Sequence, residues 1–305
     1  MQSLKSRIYY HLTRRALAKS RRLKLPVPQG RLAREQQSQK LFRMPAALVI
    51  KPCTVVGVTG EWLRPRAEEG KGIVLYLHGG AYIYGSTVTH RAIACAIAAA
   101  SRCTTLVINY RLAPEHPFPA GLDDACAVYR ALLQENPRQP IALAGDSAGG
   151  GLALALALRI RDEGLVPPPV AIALMSPWTD LTLSNPTHAS KAHVDPYFPD
   201  SALLMGAAQA YGAGTPLTHP HLSPLFADLT NLPATLIHVG EHEALLDDAR
   251  LLARRMAAHR SPATLTEYPG MWHVWQLLVG RMREADTSTA ALGEFMRRKL
   301  RQPAR

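Results

Sequence analysis

No unbroken run of about 18 apolar residues occurs in this 305-residue chain, so a bilayer-spanning helix is not expected. The basic N-terminus is not followed by an apolar stretch and a small-residue cleavage site, so a secretory signal is not expected either. Cysteine is scarce. Cys53, Cys95, Cys103 and Cys126 show no Cys-x-x-Cys spacing, and the expectation is buried free thiols in a reducing, cytoplasmic compartment. No cluster of His, Cys and carboxylate has metal-ligand spacing, so neither a metal nor another cofactor is expected. No lysine follows the glycine-rich segments, which excludes a phosphate loop, and no internal repeat or low-complexity segment is present.

Acidic residues are nearly missing from one end. Residues 1–43 hold 12 Lys and Arg against a single acid, Glu35, while the remainder holds 23 against 22. The net charge of +12 therefore belongs to an N-terminal arm, and the body is close to neutral. Such an arm reads first as a solvated helix face and second as a weak contact for anionic surfaces; nucleic acid is not an expected partner. What remains is ordinary: 47% hydrophobic and 19% charged residues suit one large α/β domain, alone or with a cap.

In the arm, Leu4, Ile8, Leu12 and Ala16 recur at four-residue spacing, which predicts an amphipathic helix broken by Pro26 and Pro28. A second helix is expected from about Gly30 to Arg43. From Lys51 the period becomes that of strands, with a β-rich stretch over Cys53–Leu63 and Gly60 as its hairpin. Ile73–Leu77 is a continuous apolar run, as a strand buried on both faces requires. Helices at Ala92–Ala100, Asp123–Gln134, Leu152–Arg161, Leu245–Ala258 and Ala285–Leu300 alternate with strands at Thr105–Asn109, Ile141–Ala144, Val170–Met175, Thr235–Val239 and Thr264–Tyr268. That alternation predicts an α/β fold with a mostly parallel central sheet covered by helices on both faces. It lapses after Trp178, in a segment rich in Pro, Ser, His and Thr with one helical patch at Ser201–Tyr211. The expected organisation is N-terminal cap helices over 1–45, a cap insertion over 181–215, and a catalytic domain made of 46–180 and 216–305. The apolar stripe of the first helix is expected to face the pocket as a lid.

Gly145-Asp146-Ser147-Ala148-Gly149 fits the Gly-x-Ser-x-Gly nucleophile elbow, with an apolar strand run before it and a strong helix former after it. The turn is too tight for side chains beside the serine, whose strained backbone projects its hydroxyl from the sheet edge. The following helix brings its first N–H groups, Ala148's among them, to where an oxyanion would form. A serine hydroxyl needs a base, and the base needs a third group to hold its tautomer. His273, after the last strand, stands in the right chain order for the base; His238 lies within a strand and reads as a core residue. For the acid, Glu241, Glu243, Asp247 and Asp248 compete, the two aspartates lying in a helix first turn where acids commonly serve the dipole.

Taken together, His78-Gly79-Gly80-Ala81, Tyr110-Arg111-Leu112-Ala113-Pro114-Glu115, the Gly145–Gly149 elbow and Trp272-His273-Val274 resemble the hormone-sensitive-lipase-like esterases (bacterial family IV) of the α/β-hydrolase superfamily. The resemblance runs from about Val49 onward. It implies the α/β-hydrolase fold with a helical cap and a cofactor-independent serine carboxylesterase acting on short to medium acyl esters. It implies Ser147 as nucleophile, His273 as base, and Gly79, Gly80 and Ala148 as oxyanion donors. His78 and Tyr110–Glu115 would support these loops, and Asp146 would fix the elbow. Glu243-Ala244-Leu245 stands where the family commonly carries Asp-Pro-Leu, 30 residues before His273, which favours Glu243 over Asp247 as the acid. The alternatives are amide or N-acetyl hydrolysis on the same triad, and a non-catalytic receptor like the plant gibberellin receptors of the family, which lack the histidine. Besides a small-molecule ester, a second copy of the chain in a homodimer is an allowed partner.

Overall fold

The computed structural model describes residues 2–67 and 72–302. The strands are β1 (Leu48–Val55), β2 (Val58–Pro65), β3 (Ile73–Leu77), β4 (Thr104–Ile108), β5 (Ile141–Asp146), β6 (Ala171–Met175), β7 (Ala234–His242) and β8 (Ala263–Trp272). They form one sheet in the order β1-β2-β4-β3-β5-β6-β7-β8. The pairs β1·β2 and β2·β4 are antiparallel and all others parallel. The helices are α1 (Leu4–Arg22), α2 (Val27–Leu41), α3 (Thr87–Ser101), α4 (Ala120–Glu135), α5 (Ala148–Asp162), α6 (Thr187–Ser190), α7 (Ser201–Gly212), α8 (Leu246–Ala258) and α9 (Arg283–Leu300). The expected α/β-hydrolase architecture is therefore present.

Alternation within each strand divides the core between the two faces of the sheet. Leu75, Leu77, Leu106, Leu143, Ile172 and Ile237 pack in the cluster that includes α4, α5 and α8. Val74, Tyr76, Val107, Ala142, Ala173 and Met175 pack in the other, with α3 and α9. Every residue from Leu152 to Leu158 is buried, so α5 is a core helix that reaches solvent only in its last turn. On the α9 side, a Cβ at Gly293 would stand 2.4 Å from Ala100 Cβ, so only glycine lets α9 and α3 approach this closely.

Several element boundaries differ from expectation, each for a local reason. The hairpin turns at Val56-Gly57, where both residues have positive φ and Val55 pairs with Val58. Gly60 instead lies inside β2, where a Cβ would meet Val107 O at 2.5 Å; β4's close approach, not a turn, demands glycine there. Helix α3 starts five residues early because Ser86 and Thr89 form a capping box. Helix α2 starts at Val27 with Pro28 in its first turn, a position where proline's missing N–H is harmless.

The segment after β6 is fastened to α8 by Asp248. This buried carboxylate accepts N–H bonds from Thr179 and Asp180 and the Asn185 amide, and lies 2.8 Å from His188 Nε2. Asp248 is thus structural. The arm docks by a different face from the one expected. Ser6 is buried, Tyr10 Oη donates to Val194 O at 2.8 Å, and Arg21 donates to Pro196 O at 3.1 Å. Leu4, Ile8 and Leu12 are 73%, 51% and 51% exposed, so the stripe expected to face the pocket faces outward. In α2, Arg31 bonds Ile83 O and Ala113 O and pairs with Glu115, and the Arg34 guanidinium lies 4.0 Å over the Tyr84 ring. Polar and aromatic groups, rather than leucines, hold the arm down.

Candidate active site

The carboxyl ends of β3, β5, β6, β7 and β8 converge on one edge of the sheet, where function concentrates in open α/β folds. At the end of β5, Ser147 has φ +53° and ψ −124°, a conformation costly for any residue with a Cβ. The flanking glycines make it achievable. A Cβ at Gly145 would lie 2.3 Å from Gly149 O, and one at Gly149 would lie 2.1 Å from Leu77 O. The Ser147 N–H is tied to Met175 O at 2.8 Å, and its carbonyl accepts from Trp178 N–H at 2.9 Å. The hydroxyl is thereby aimed at His273, with Ser147 Oγ 2.9 Å from Nε2. Both residues are almost enclosed, Ser147 4% and His273 2% exposed.

Of the four competing carboxylates, Glu243 is the one beside His273. Its Oε1 is 3.7 Å from Nδ1, beyond hydrogen-bond range, yet neither atom has another partner among the described residues and both are buried. Glu243 Oε2 accepts from Gly240 N–H at 2.9 Å and Ser176 Oγ–H at 2.8 Å. Ser176 Oγ also accepts from Val274 N–H at 3.1 Å, joining the acid loop to the residue after the base. Glu241 accepts from Gly270 N–H, and Asp247 faces Arg250 at 3.5 Å. Burial acts to lower the pKa of His273, but Glu243, with Asp195 and Asp146 in support, holds it above the ordinary 6.5.

Asp195 carries no motif in the sequence. It is buried beside this group, accepting from Ala244 N–H and Tyr197 N–H at 2.8 Å each. Burial pushes its carboxyl up to about 6, against the opposing pull of His273 and these N–H groups. The same loop sets the rings of Tyr197 and Phe198 edge-on to His273, at centroid distances of 5.6 and 4.9 Å. In the sequence it is one aspartate in a polar, proline-containing insertion, and nothing in the pattern tied it to residues 244 or 273.

The glycine segment departs from expectation at one residue. Gly79 N–H donates to Asp146 Oδ1 at 3.0 Å and is thereby already engaged. Its lack of a Cβ is explained by that same carboxylate, since a Cβ would lie 2.2 Å from Asp146 Oδ2. Asp146 also takes the Tyr76 hydroxyl at 2.6 Å and lies 3.3 Å from His90 Nε2. Burial works to raise its pKa, and these three partners outweigh it and hold it low. Among the described residues, no hydrogen bond uses the N–H of Gly80 or of Ala81. Ala148 opens α5, where N–H groups lack an intrahelical acceptor. Tyr110 Oη donates to His78 O at 2.6 Å and Ala113 N–H to Tyr82 O at 2.9 Å, so the Tyr110–Glu115 segment does brace this loop. His78 is buried against His90 and Tyr110, which lowers its pKa to about 3 and keeps it neutral.

A serine on a strained strand–helix turn with a histidine at hydrogen-bond distance defines a serine hydrolase. Residues 74–277 match the family described as alpha/beta hydrolase fold. An acetyl-hydrolase of Streptomyces hygroscopicus is 41% identical over 245 residues, covering 80% of this chain and 81% of that protein. The crystal structure of an esterase from the bacterial hormone-sensitive lipase family superposes with a TM-score of 0.90 at 35% identity, covering 98% of this chain and 99% of the other. That of EstE5 soaked with p-nitrophenyl butyrate gives 0.90 at 34%, covering 99% and 100%. The chain belongs to the hormone-sensitive-lipase-like esterases of the alpha/beta hydrolase family. It is a carboxylesterase-type serine hydrolase acting on small-molecule esters.

Proposed function

We propose that Ser147, His273 and Glu243 form the catalytic triad of this esterase, and that short acyl esters are its substrates. The observation that carries the reading is the 2.9 Å contact of Ser147 Oγ with His273 Nε2. Ser147 Oγ attacks the ester carbonyl carbon as its proton passes to Nε2. The tetrahedral oxyanion is met by the N–H groups of Gly80 and Ala148, with Ala81's uncommitted amide taking the place that Gly79 loses to Asp146. His273 then protonates the leaving alkoxide, the C–O bond breaks, and Ser147 is left acylated. Water repeats the sequence and releases the carboxylic acid. When His273 is protonated its Nδ1–H has, among the described residues, only Glu243 Oε1 to turn to, so the 3.7 Å gap closes to a charge-assisted bond.

Residues 1–45 and 181–215 are proposed as the cap; α1 reaching Val194 and Pro196, beside the ring wall of His273, supports this. The four free thiols support a reducing, cytoplasmic location, and the basic arm is proposed to meet anionic surfaces. Short acyl preference is supported by the Streptomyces hygroscopicus relative, an acetyl-hydrolase. Measuring kcat/KM over p-nitrophenyl esters from acetate to palmitate tests it. Acetate and butyrate are expected to be the best substrates; a rate that climbs to palmitate contradicts short-chain preference. Turnover of N-acetyl amides with none of any ester would contradict ester hydrolysis itself.

The pH profile follows from the neighbours of the base. Catalysis needs neutral His273, whose pKa is held above 6.5, so activity is lost as pH falls through a midpoint above that value. Asp195, raised to about 6, titrates over an adjoining range, and its protonation removes a charge that favours the imidazolium, making the acid limb shallower than a one-proton curve. Asp195→Asn removes a charge that supports the imidazolium, so the limb should move to lower pH and become one-proton. An unchanged midpoint and slope in kcat/KM against pH would show that Asp195 is not coupled to the base.

A further inference from the structure

The inward residues of α1, Ser6, Tyr10 and Arg21, fix which way the rest of the helix points. At 3.6 residues per turn, the opposite face carries Leu4, Ile8, Leu12, Arg15, Lys19 and Arg22, all exposed. Apolar side chains occupy the first half of this face and cations the second. Of the twelve large hydrophobic residues exposed among the described residues, eight lie between Leu4 and Met44, within the stretch that also holds the excess cations. Arg15, Lys19 and Arg22 have no acidic partner among the described residues.

We propose that this outward face of α1 docks on anionic lipid bilayers, with Leu4, Ile8 and Leu12 entering the headgroup region and Arg15, Lys19 and Arg22 meeting lipid phosphates. The proposal sharpens the arm's anionic-surface contact and is independent of the triad assignment. Charge decides the occupant. A second copy of the chain would bring the same cationic arm against this one, so self-association through this face is opposed. Nucleic acid would engage the cations and leave the three apolar side chains in water. A bilayer interface satisfies both, which is the composition of helices that lie in the plane of a membrane. No helix among the described residues is long and apolar enough to cross a membrane, so α1 lies on the surface. Its inner face stays on residues 194–197, and docking needs no rearrangement of the site.

Flotation of the full-length protein with phosphatidylcholine vesicles, with and without phosphatidylglycerol, at physiological salt tests this. Flotation is expected only with the anionic lipid. Arg15→Gln, Lys19→Gln and Arg22→Gln combined should lower partitioning about a hundredfold, at about fivefold per basic residue near the surface. Leu4→Ser, Ile8→Ser and Leu12→Ser combined should lower it at least about tenfold through lost apolar insertion. Both variants should hydrolyse soluble p-nitrophenyl acetate at the wild-type rate, which reports an intact fold and keeps this test separate from that of the triad. Absence of flotation with phosphatidylglycerol, equal flotation on phosphatidylcholine alone, or indifference to the apolar substitutions overturns the proposal. Saturable binding of a short duplex RNA without vesicle flotation would assign the face to nucleic acid instead.

Discussion

Replacing Ser147 with alanine is expected to lower the turnover of p-nitrophenyl acetate by about 10⁶-fold. The acyl-enzyme route depends on one oxygen, and no second hydroxyl lies at hydrogen-bond distance from His273 Nε2 among the described residues. The variant should still fold. Alanine bears the same φ of +53° with the same Cβ, and the backbone bonds to Met175 and Trp178 do not involve the hydroxyl. The remaining donors, Gly80, Ala81 and Ala148 on the proposed reading, leave some acceleration over water, so a small residual rate is consistent. A rate within tenfold of wild type, from protein with an unchanged thermal midpoint, would remove Ser147 from the mechanism.

Glu243→Gln is expected to lower kcat by about 10⁴-fold with the fold retained. Two effects act together. The amide cannot balance the imidazolium, and if its NH₂ turns toward Nδ1 it stabilises the wrong tautomer, with the proton on Nε2 facing Ser147. The other end of the side chain retains an acceptor for Gly240 N–H or Ser176 Oγ–H, so the loop stays anchored. Removing the carboxylate leaves burial opposed only by Asp195 and Asp146, so the residual activity should carry its acid limb to lower pH than wild type. Asp247→Asn, by contrast, loses a contact with Arg250 in the first turn of α8 and should change stability by about 0.5–1 kcal/mol without changing kcat. Loss of turnover in Asp247→Asn with Glu243→Gln unaffected would exchange the two roles.

Much of this site was legible because it is made of backbone constraints that leave few choices of residue. Gly145 and Gly149 must lack a Cβ, Ser147 must follow a buried strand, and His273 must follow the last one; each condition is a residue type at a fixed place. Glu243 was legible only through its register against a known family, since three other carboxylates share its loop. The side chains that assemble across long stretches of sequence were not legible. Ser176 touches residues 243 and 274, and Asp195 touches residue 244; neither spacing has a period to betray it. Gly79 looked like an oxyanion donor because glycine suits one, whereas the structure gives its N–H to Asp146 and explains the missing Cβ by the same contact. In the arm, periodicity announced α1 but not its orientation. Leu4, Ile8 and Leu12 define one face and Ser6, Tyr10 and Arg21 another with equal regularity, and carbonyls at Val194 and Pro196 selected the polar one.

The central claim is that ester hydrolysis runs through a covalent intermediate on Ser147, activated by His273. Titrating the enzyme with a fluorophosphonate while following p-nitrophenyl acetate hydrolysis tests it directly, with the labelled peptide identified by mass spectrometry. The predicted result is one phosphonyl group per chain, on Ser147, with activity falling in proportion to its occupancy and no labelling of Ser147 in the His273→Ala variant on the same timescale. Full activity after Ser147 is completely labelled, or complete inactivation with the label on another residue, would contradict it.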